Sequence, residues 1–155
     1  YDPSTYNIDE KGNFSFAALF DHYGDNTITL RAAKAGLQDS VVSFNVYYVP
    51  SINEYSRKAW KMDYQNLLYC WQEWDGRVFA CKGTIVASMD DDPDPLVIDV
   101  SDNGSGKYLV IKNMSDKKIT ETGGRYVIYA DVSGQGEYEG KTYTRLIGRY
   151  AESLD

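Results

Sequence analysis

Arg77-Val78-Phe79-Ala80-Cys81-Lys82-Gly83-Thr84-Ile85-Val86-Ala87 is the run on which the fold turns. Its apolar and β-branched content is that of a strand. Its single interruption, Gly83, permits a bulge or a sharp coil in mid-strand. A strand bent there can serve two sheet edges. Four more strand patterns follow, at Leu96 to Val100, Lys107 to Lys112, Arg125 to Val132 and Thr142 to Tyr150. Turn chemistry at Asp102-Asn103-Gly104, Gly123-Gly124 and Glu139-Gly140 separates them. Five strands with a glycine-bent first member predict a small, partly open barrel over residues 71–155, since curling a sheet closes most of its edges.

Upstream of the barrel the period changes. Pro50 has no backbone donor and pushes Val49 toward extended geometry, and Ser51 or Asn53 can then cap a helix over about Glu54 to Leu68. Tyr55, Ala59 and Met62 share one helical face, and Trp60, Tyr64 and Leu67 or Leu68 share an adjoining one. A broad apolar stripe of this kind reads as packing. Residues 51–70 are therefore expected to be a connecting helix. Before Pro50, Phe14-Ser15-Phe16-Ala17, Thr27 to Ala32 and Val42 to Tyr48 alternate in strand fashion, with turns at Tyr23-Gly24-Asp25-Asn26 and Lys34-Ala35-Gly36-Leu37. Residues 1–50 read as a small antiparallel meander. The fold class is all-β with one helix.

The composition sets bounds on function. The chain has 155 residues, 43% of them hydrophobic and 25% charged, the balance of a core-forming protein. Tyrosine is abundant, with 14 copies, which favours pleated, half-buried surfaces. A net charge of −7 repels phosphate backbones, so nucleic acid is not an expected partner. No apolar run approaches the roughly 20 residues needed to span a bilayer, so any membrane attachment is expected through an anchor outside these residues. The chain opens at Tyr1 without a Met or a signal-like segment, and a targeting segment is expected to have been removed or to lie beyond it.

Three segments, Gly12 to Phe16, Gly24-Asp25-Asn26-Thr27-Ile28-Thr29-Leu30-Arg31-Ala32 and Val41 to Tyr48, resemble the second half of bacterial immunoglobulin-like repeats from exported Gram-positive surface proteins. Gly76 to Phe79, Gly83 to Val86, Gly123 to Tyr129 and Tyr143 to Tyr150 are similar to an oligonucleotide/oligosaccharide-binding (OB) barrel that follows such repeats. The resemblance implies a partial immunoglobulin-like sheet, a connecting helix and an OB-like barrel. It also implies export to the cell surface and carries no catalytic residues across. An immunoglobulin sandwich needs about seven strands, and those before Pro50 supply about half. The half-sandwich is expected to pair with missing strands or with a second copy, giving a homodimer.

Few residues carry reactive chemistry in a useful pattern. His22 precedes a turn, with no nucleophile motif for it to serve. Asp90-Asp91-Asp92-Pro93-Asp94-Pro95 lacks the central Gly and terminal Glu of a Ca²⁺ loop and reads as a stiff, solvated connector. Gly134-Gln135-Gly136-Glu137-Tyr138-Glu139-Gly140 lacks the Walker spacing and reads as a hairpin loop. Cys70 and Cys81 are too few for a structural zinc site, and form either a short disulfide loop or two buried free thiols. No cofactor and no metal are expected. Trp71, Trp74 and Tyr69 are the candidate ligand-stacking residues, with plugging of a barrel end as their structural alternative. These features predict a non-enzymatic interaction or spacer module that contacts a protein or a glycan. A carbohydrate-binding module comes second, and a hydrolase built on clustered carboxylates comes third.

Overall fold

A computed structural model describes residues 6–20, 22–61, 63–88, 95–119 and 121–155. The chain is all-β and divides into two compact units, Tyr1–Val49 and Pro50–Asp155.

The first unit holds two separate hairpins. β1 (Tyr6–Ile8) pairs antiparallel with β2 (Phe14–Phe16), and β3 (Gly24–Ala32) pairs with β4 (Ser40–Tyr48). The expected single meander is thus replaced by two sheets of two strands each. Local chemistry explains the β1–β2 pairing. The Asp9 carboxylate accepts hydrogen bonds from the amides of Lys11 and Asn13 at 2.9 and 2.8 Å, and from the Asn13 side chain at 2.8 Å. These bonds form an Asx turn that reverses the chain after β1. They also hold the Asp9 carboxyl below its ordinary value, the Asn13 side chain contributing most.

The second unit is a closed barrel of β5 (Val78–Ser88), β6 (Pro95–Asp99), β7 (Tyr108–Asn113), β9 (Lys141–Ser153) and β8 (Arg125–Tyr138), in that order around the wall. All neighbours run antiparallel except β7 and β9. β5 closes the barrel because it serves two partners. Its residues Val78 to Thr84 pair with β8, and Thr84 to Ser88 pair with β6. The change of partner falls beside Gly83, where a Cβ would stand 2.2 Å from the Asp99 carbonyl oxygen. Only glycine lets the two backbones cross this closely.

Alternate residues of all five strands fill the interior, with Phe79, Cys81, Leu96, Ile98, Leu109, Ile111, Ile128 and Leu146 in one buried cluster. Two strands run further than the sequence pattern suggests. β8 and β9 stay paired through Gln135↔Thr144 and Gly136↔Tyr143 to Tyr138↔Lys141, so the glycine-rich segment read as a loop is mostly ladder. The turn itself is Glu139-Gly140, both at positive φ, as a two-residue hairpin of the primed type requires. A register shift between Val132 and Gln135 absorbs the extra residue.

The expected helix is two short ones, α1 (Ile52–Arg57) and α2 (Tyr64–Tyr69), followed by a single 3-10 turn at Trp71–Trp74. Ser51 caps α1 in a reciprocal box with Glu54. The helix stops because the chain finds a better partner in the sheet: the Trp60 amide donates to the Val78 carbonyl at 2.9 Å, as in a parallel strand pair. Asp63 then caps α2 by accepting from the amides of Gln65 and Asn66.

These elements belong to the barrel unit, so residues 51–70 act as part of it and not as a connector. Leu67 of α2 enters the barrel core, and its carbonyl accepts a hydrogen bond from the buried Thr144 hydroxyl. Tyr55 of α1 is buried, and its hydroxyl donates to Asp131 on β8. Burial first, and then the Asp131 charge, raise the Tyr55 phenol above its ordinary value. Arg149 on β9 donates to the other Asp131 oxygen at 2.9 Å, in a largely buried ion pair. The Tyr55 ring meets Tyr150 edge-on at 5.5 Å, and the Tyr150 hydroxyl donates to the Pro50 carbonyl.

Candidate binding surfaces

The three aromatic residues singled out in the sequence separate in the structure. Trp71 and Trp74, both in the 3-10 turn, are partly buried and pack against the barrel core. That cluster also includes Leu67 of α2. Tyr69, the last residue of α2, is 73% exposed. The structure does not bring the three together as one stacking face.

Trp74 has a second neighbour that the sequence reading assigned to packing. Its ring meets Phe79 at 5.5 Å with an interplanar angle of 80°, and on its other contact meets Trp60 at 5.5 Å and 64°. Phe79 belongs to the buried core, whereas Trp60 is 52% exposed. A ladder of edge-to-face rings therefore runs from the core to the surface. Trp60 was missed because a helical period placed it on an apolar stripe, and the helix ends before reaching it. The residues flanking it in the chain, Arg57, Lys58, Lys61 and Asp63, are exposed and charged, as are Glu73, Asp75 and Arg77 around its two contacts.

A second aromatic group lies at the β8–β9 hairpin. Parallel pairing of β7 with β9 sets Tyr108 beside Tyr143, and Tyr138 stands diagonally across the hairpin. Their centroids lie 5.5 Å (Tyr108–Tyr138), 5.8 Å (Tyr108–Tyr143) and 6.5 Å (Tyr138–Tyr143) apart. The Tyr64 hydroxyl donates to the Tyr108 carbonyl at 3.2 Å. These rings turn toward one another, and such pairs are worth about 0.5–1.5 kcal/mol each beyond burial. Their role is to fasten the long hairpin to β7.

Asp99 is the buried carboxylate of the barrel. It accepts from the Ser101 amide at 2.9 Å and hydroxyl at 2.6 Å, and from the amides of Gly106 and Lys107 at 3.3 and 3.1 Å. Burial pushes its carboxyl up, but these four donors outweigh that and hold it below its ordinary value. With its oxygens engaged by the β6–β7 loop, Asp99 orders that loop.

Of the two outcomes open for the cysteines, the structure holds free thiols. Cys81 points into the barrel core, where burial pushes its thiol up to about 12. Cys70, at the end of α2, is only partly covered. His22 is exposed, and its carbonyl accepts from the Asn26 side chain at 3.0 Å, which places it in the turn before β3. The acidic run Asp90 to Asp94 lies outside the described residues. Among the described residues no group of three or more His, Cys, Asp or Glu side chains is placed to hold a metal, and no helix is long and apolar enough to cross a membrane.

The β3–β4 hairpin presents two unlike faces. One carries the polar cross-strand pairs Thr27 with Asn45 and Thr29 with Ser43, the ion pair of Arg31 with Asp39 just before β4, and the exposed side chains of Val41 and Tyr47. On the other, Ile28 stands opposite Phe44 and Leu30 opposite Val42, with Val46 following. Phe44 is 41% exposed and Val42 is 56% exposed.

Fold and surfaces together define an all-β protein with a two-faced hairpin unit and a closed five-stranded barrel unit. Comparison with known proteins returns no matching family model, no matching curated protein and no matching solved structure.

Proposed function

We propose that the chain is a non-enzymatic interaction or spacer module of an exported or cell-surface protein. The observation that carries this reading is the β3–β4 hairpin. One of its faces carries side-chain hydrogen bonds across the strands, and the other, apolar face is half-buried at Ile28, Leu30 and Val46 and exposed at Val42 and Phe44. A contiguous exposed apolar surface marks a place of association, and a two-stranded sheet needs further packing to be stable in water. In this reading the hairpin is the retained part of an immunoglobulin-like sandwich, and the face is covered by the same face of a second copy.

The barrel is read as an OB-type unit. Its wall order places the fifth barrel strand between the third and the fourth, with one parallel pair, which supports a Greek-key barrel of that type.

The size of the hairpin sets the expected affinity. A nine-residue strand is about 30 Å long and two strands are about 10 Å wide. The face therefore offers roughly 300 Å², well under the roughly 800 Å² per partner of a standard interface. Self-association should be weak and concentration-dependent. In sedimentation velocity from micromolar to millimolar protein, the average mass of the natural chain should rise, and that of Phe44→Lys should stay at the monomer value. A natural chain that stays monomeric throughout would overturn the dimer.

A further inference from the structure

We infer that Trp60 is the stacking platform of a saccharide-binding site on the barrel unit, with the pyranose ring of a glycan as its occupant. Three independent features single it out. The ring is 52% exposed, although an indole is among the costliest side chains to leave in water. Its orientation is fixed from below by Trp74, which is itself fixed by Phe79 in the buried core. Its backbone is fixed as well, by the hydrogen bond that the Trp60 amide donates to the Val78 carbonyl and by the parallel pairing with Phe79. A surface ring held at both backbone and side chain loses little freedom on binding, which is how preorganisation adds to affinity.

The surroundings of the ring select the ligand. A protein partner would need a broad apolar patch, because interface cores are depleted of charge. Trp60 is instead flanked along the chain by the exposed charged residues Arg57, Lys61 and Asp63, and its contacts Trp74 and Phe79 by Glu73, Asp75 and Arg77. A pyranose fits such a setting. One of its faces carries C–H groups that can lie on an indole, and its rim carries hydroxyls that charged side chains can hydrogen-bond.

This site deepens the non-enzymatic binding reading and rests on it. The hairpin experiment reads self-association and the present one reads saccharide retention, so either can fail alone.

The test is affinity electrophoresis of the whole chain through gels containing, in turn, hydroxyethylcellulose, xylan, mannan, soluble glycol chitin and polygalacturonate. Titration of the retarding polysaccharide follows, read by tryptophan fluorescence. At least one polysaccharide should retard the natural chain. Trp60→Ala should weaken that binding by about tenfold or more, as expected on losing a stacking contact, and Trp60→Tyr should restore part of it. Trp60→Ala should keep the circular dichroism spectrum and the cooperative unfolding of the natural chain, with the thermal midpoint lowered by only the few degrees that loss of the Trp74 ring contact implies, which separates loss of the platform from loss of the fold. Retardation by none of the five, as expected if Trp60 serves a protein contact, would overturn the inference. So would retardation that Trp60→Ala leaves unchanged.

Discussion

The β3–β4 hairpin and the β5–β9 barrel use the same strand vocabulary, alternating β-branched and aromatic residues, and reach opposite ends. In the barrel, Leu96, Ile98, Leu109 and Ile111 are fully buried, because five strands curl until each apolar face meets the others. In the hairpin, Val42 and Phe44 stand in the same kind of alternation and remain partly open to water. Alternation decides which side of a strand is apolar. Whether that side becomes a core depends on closure, and closure here rests on Gly83, beside which β5 changes partner.

The sharpest way to break this contrast is to remove the means of closure. Gly83→Ala would put a methyl group into the Asp99 carbonyl, a contact that cannot be made without parting β5 from β6. We expect a loss of about 3 kcal/mol or more in urea unfolding of the barrel. An unchanged midpoint would mean that the strands do not cross there as described.

Truncating Leu67 tests whether the helical segment belongs to the barrel. Leu67→Ala leaves a cavity where α2 enters the core, and it should cost about 3 kcal/mol, within the usual 2–5 for such sites. If residues 51–70 were only a connector, the cost would be near zero.

A third, smaller effect concerns the β6–β7 loop. Asp99→Asn removes a charge that four donors are arranged to meet, at an expected cost of about 1–2 kcal/mol at neutral pH. The Asp99 carboxyl is lowered in the folded chain, so its contribution is present above the ordinary carboxylate value of about 4 and is lost as pH falls through the folded value. Stability measured from pH 7 to pH 3 should therefore fall more steeply in the natural chain than in Asp99→Asn. Parallel curves would remove Asp99 from the account.

The smallest change in stability should come from the hairpin. Phe44→Lys touches an exposed face and should shift unfolding by less than about 0.5 kcal/mol, while abolishing self-association. A large loss of stability instead would show that the face is already part of a core.

Much of the barrel is legible in the sequence. The five strand runs, the bend at Gly83, the turn at Glu139-Gly140 and the Ser51 cap are all short-range features, carried by period-two alternation, glycine and capping chemistry. The loop from Gly134 to Gly140 was misread because glycines mark turns and bulges alike, and only pairing with Thr142 to Thr144 shows which. The single helix failed for a similar reason. A sequence of mixed period can fill a helical stripe, yet the Trp60 amide bonds to a strand that begins 18 residues further on. The candidate site shifted with it: Trp71 and Trp74 went to packing, and the exposed ring proved to be the neighbour they support.

The sequence by itself determined that this chain is all-β, which residues alternate toward an interior, and where the chain turns, because those properties depend on neighbours within a few residues. Only the tertiary structure decided that the barrel closes completely, that Leu67 of the helical segment enters its core, that the first unit is two hairpins, and that Trp60 lies exposed on a ladder of rings. Each of these depends on which distant strand a backbone donor or an apolar face finds, and local pattern does not encode that choice.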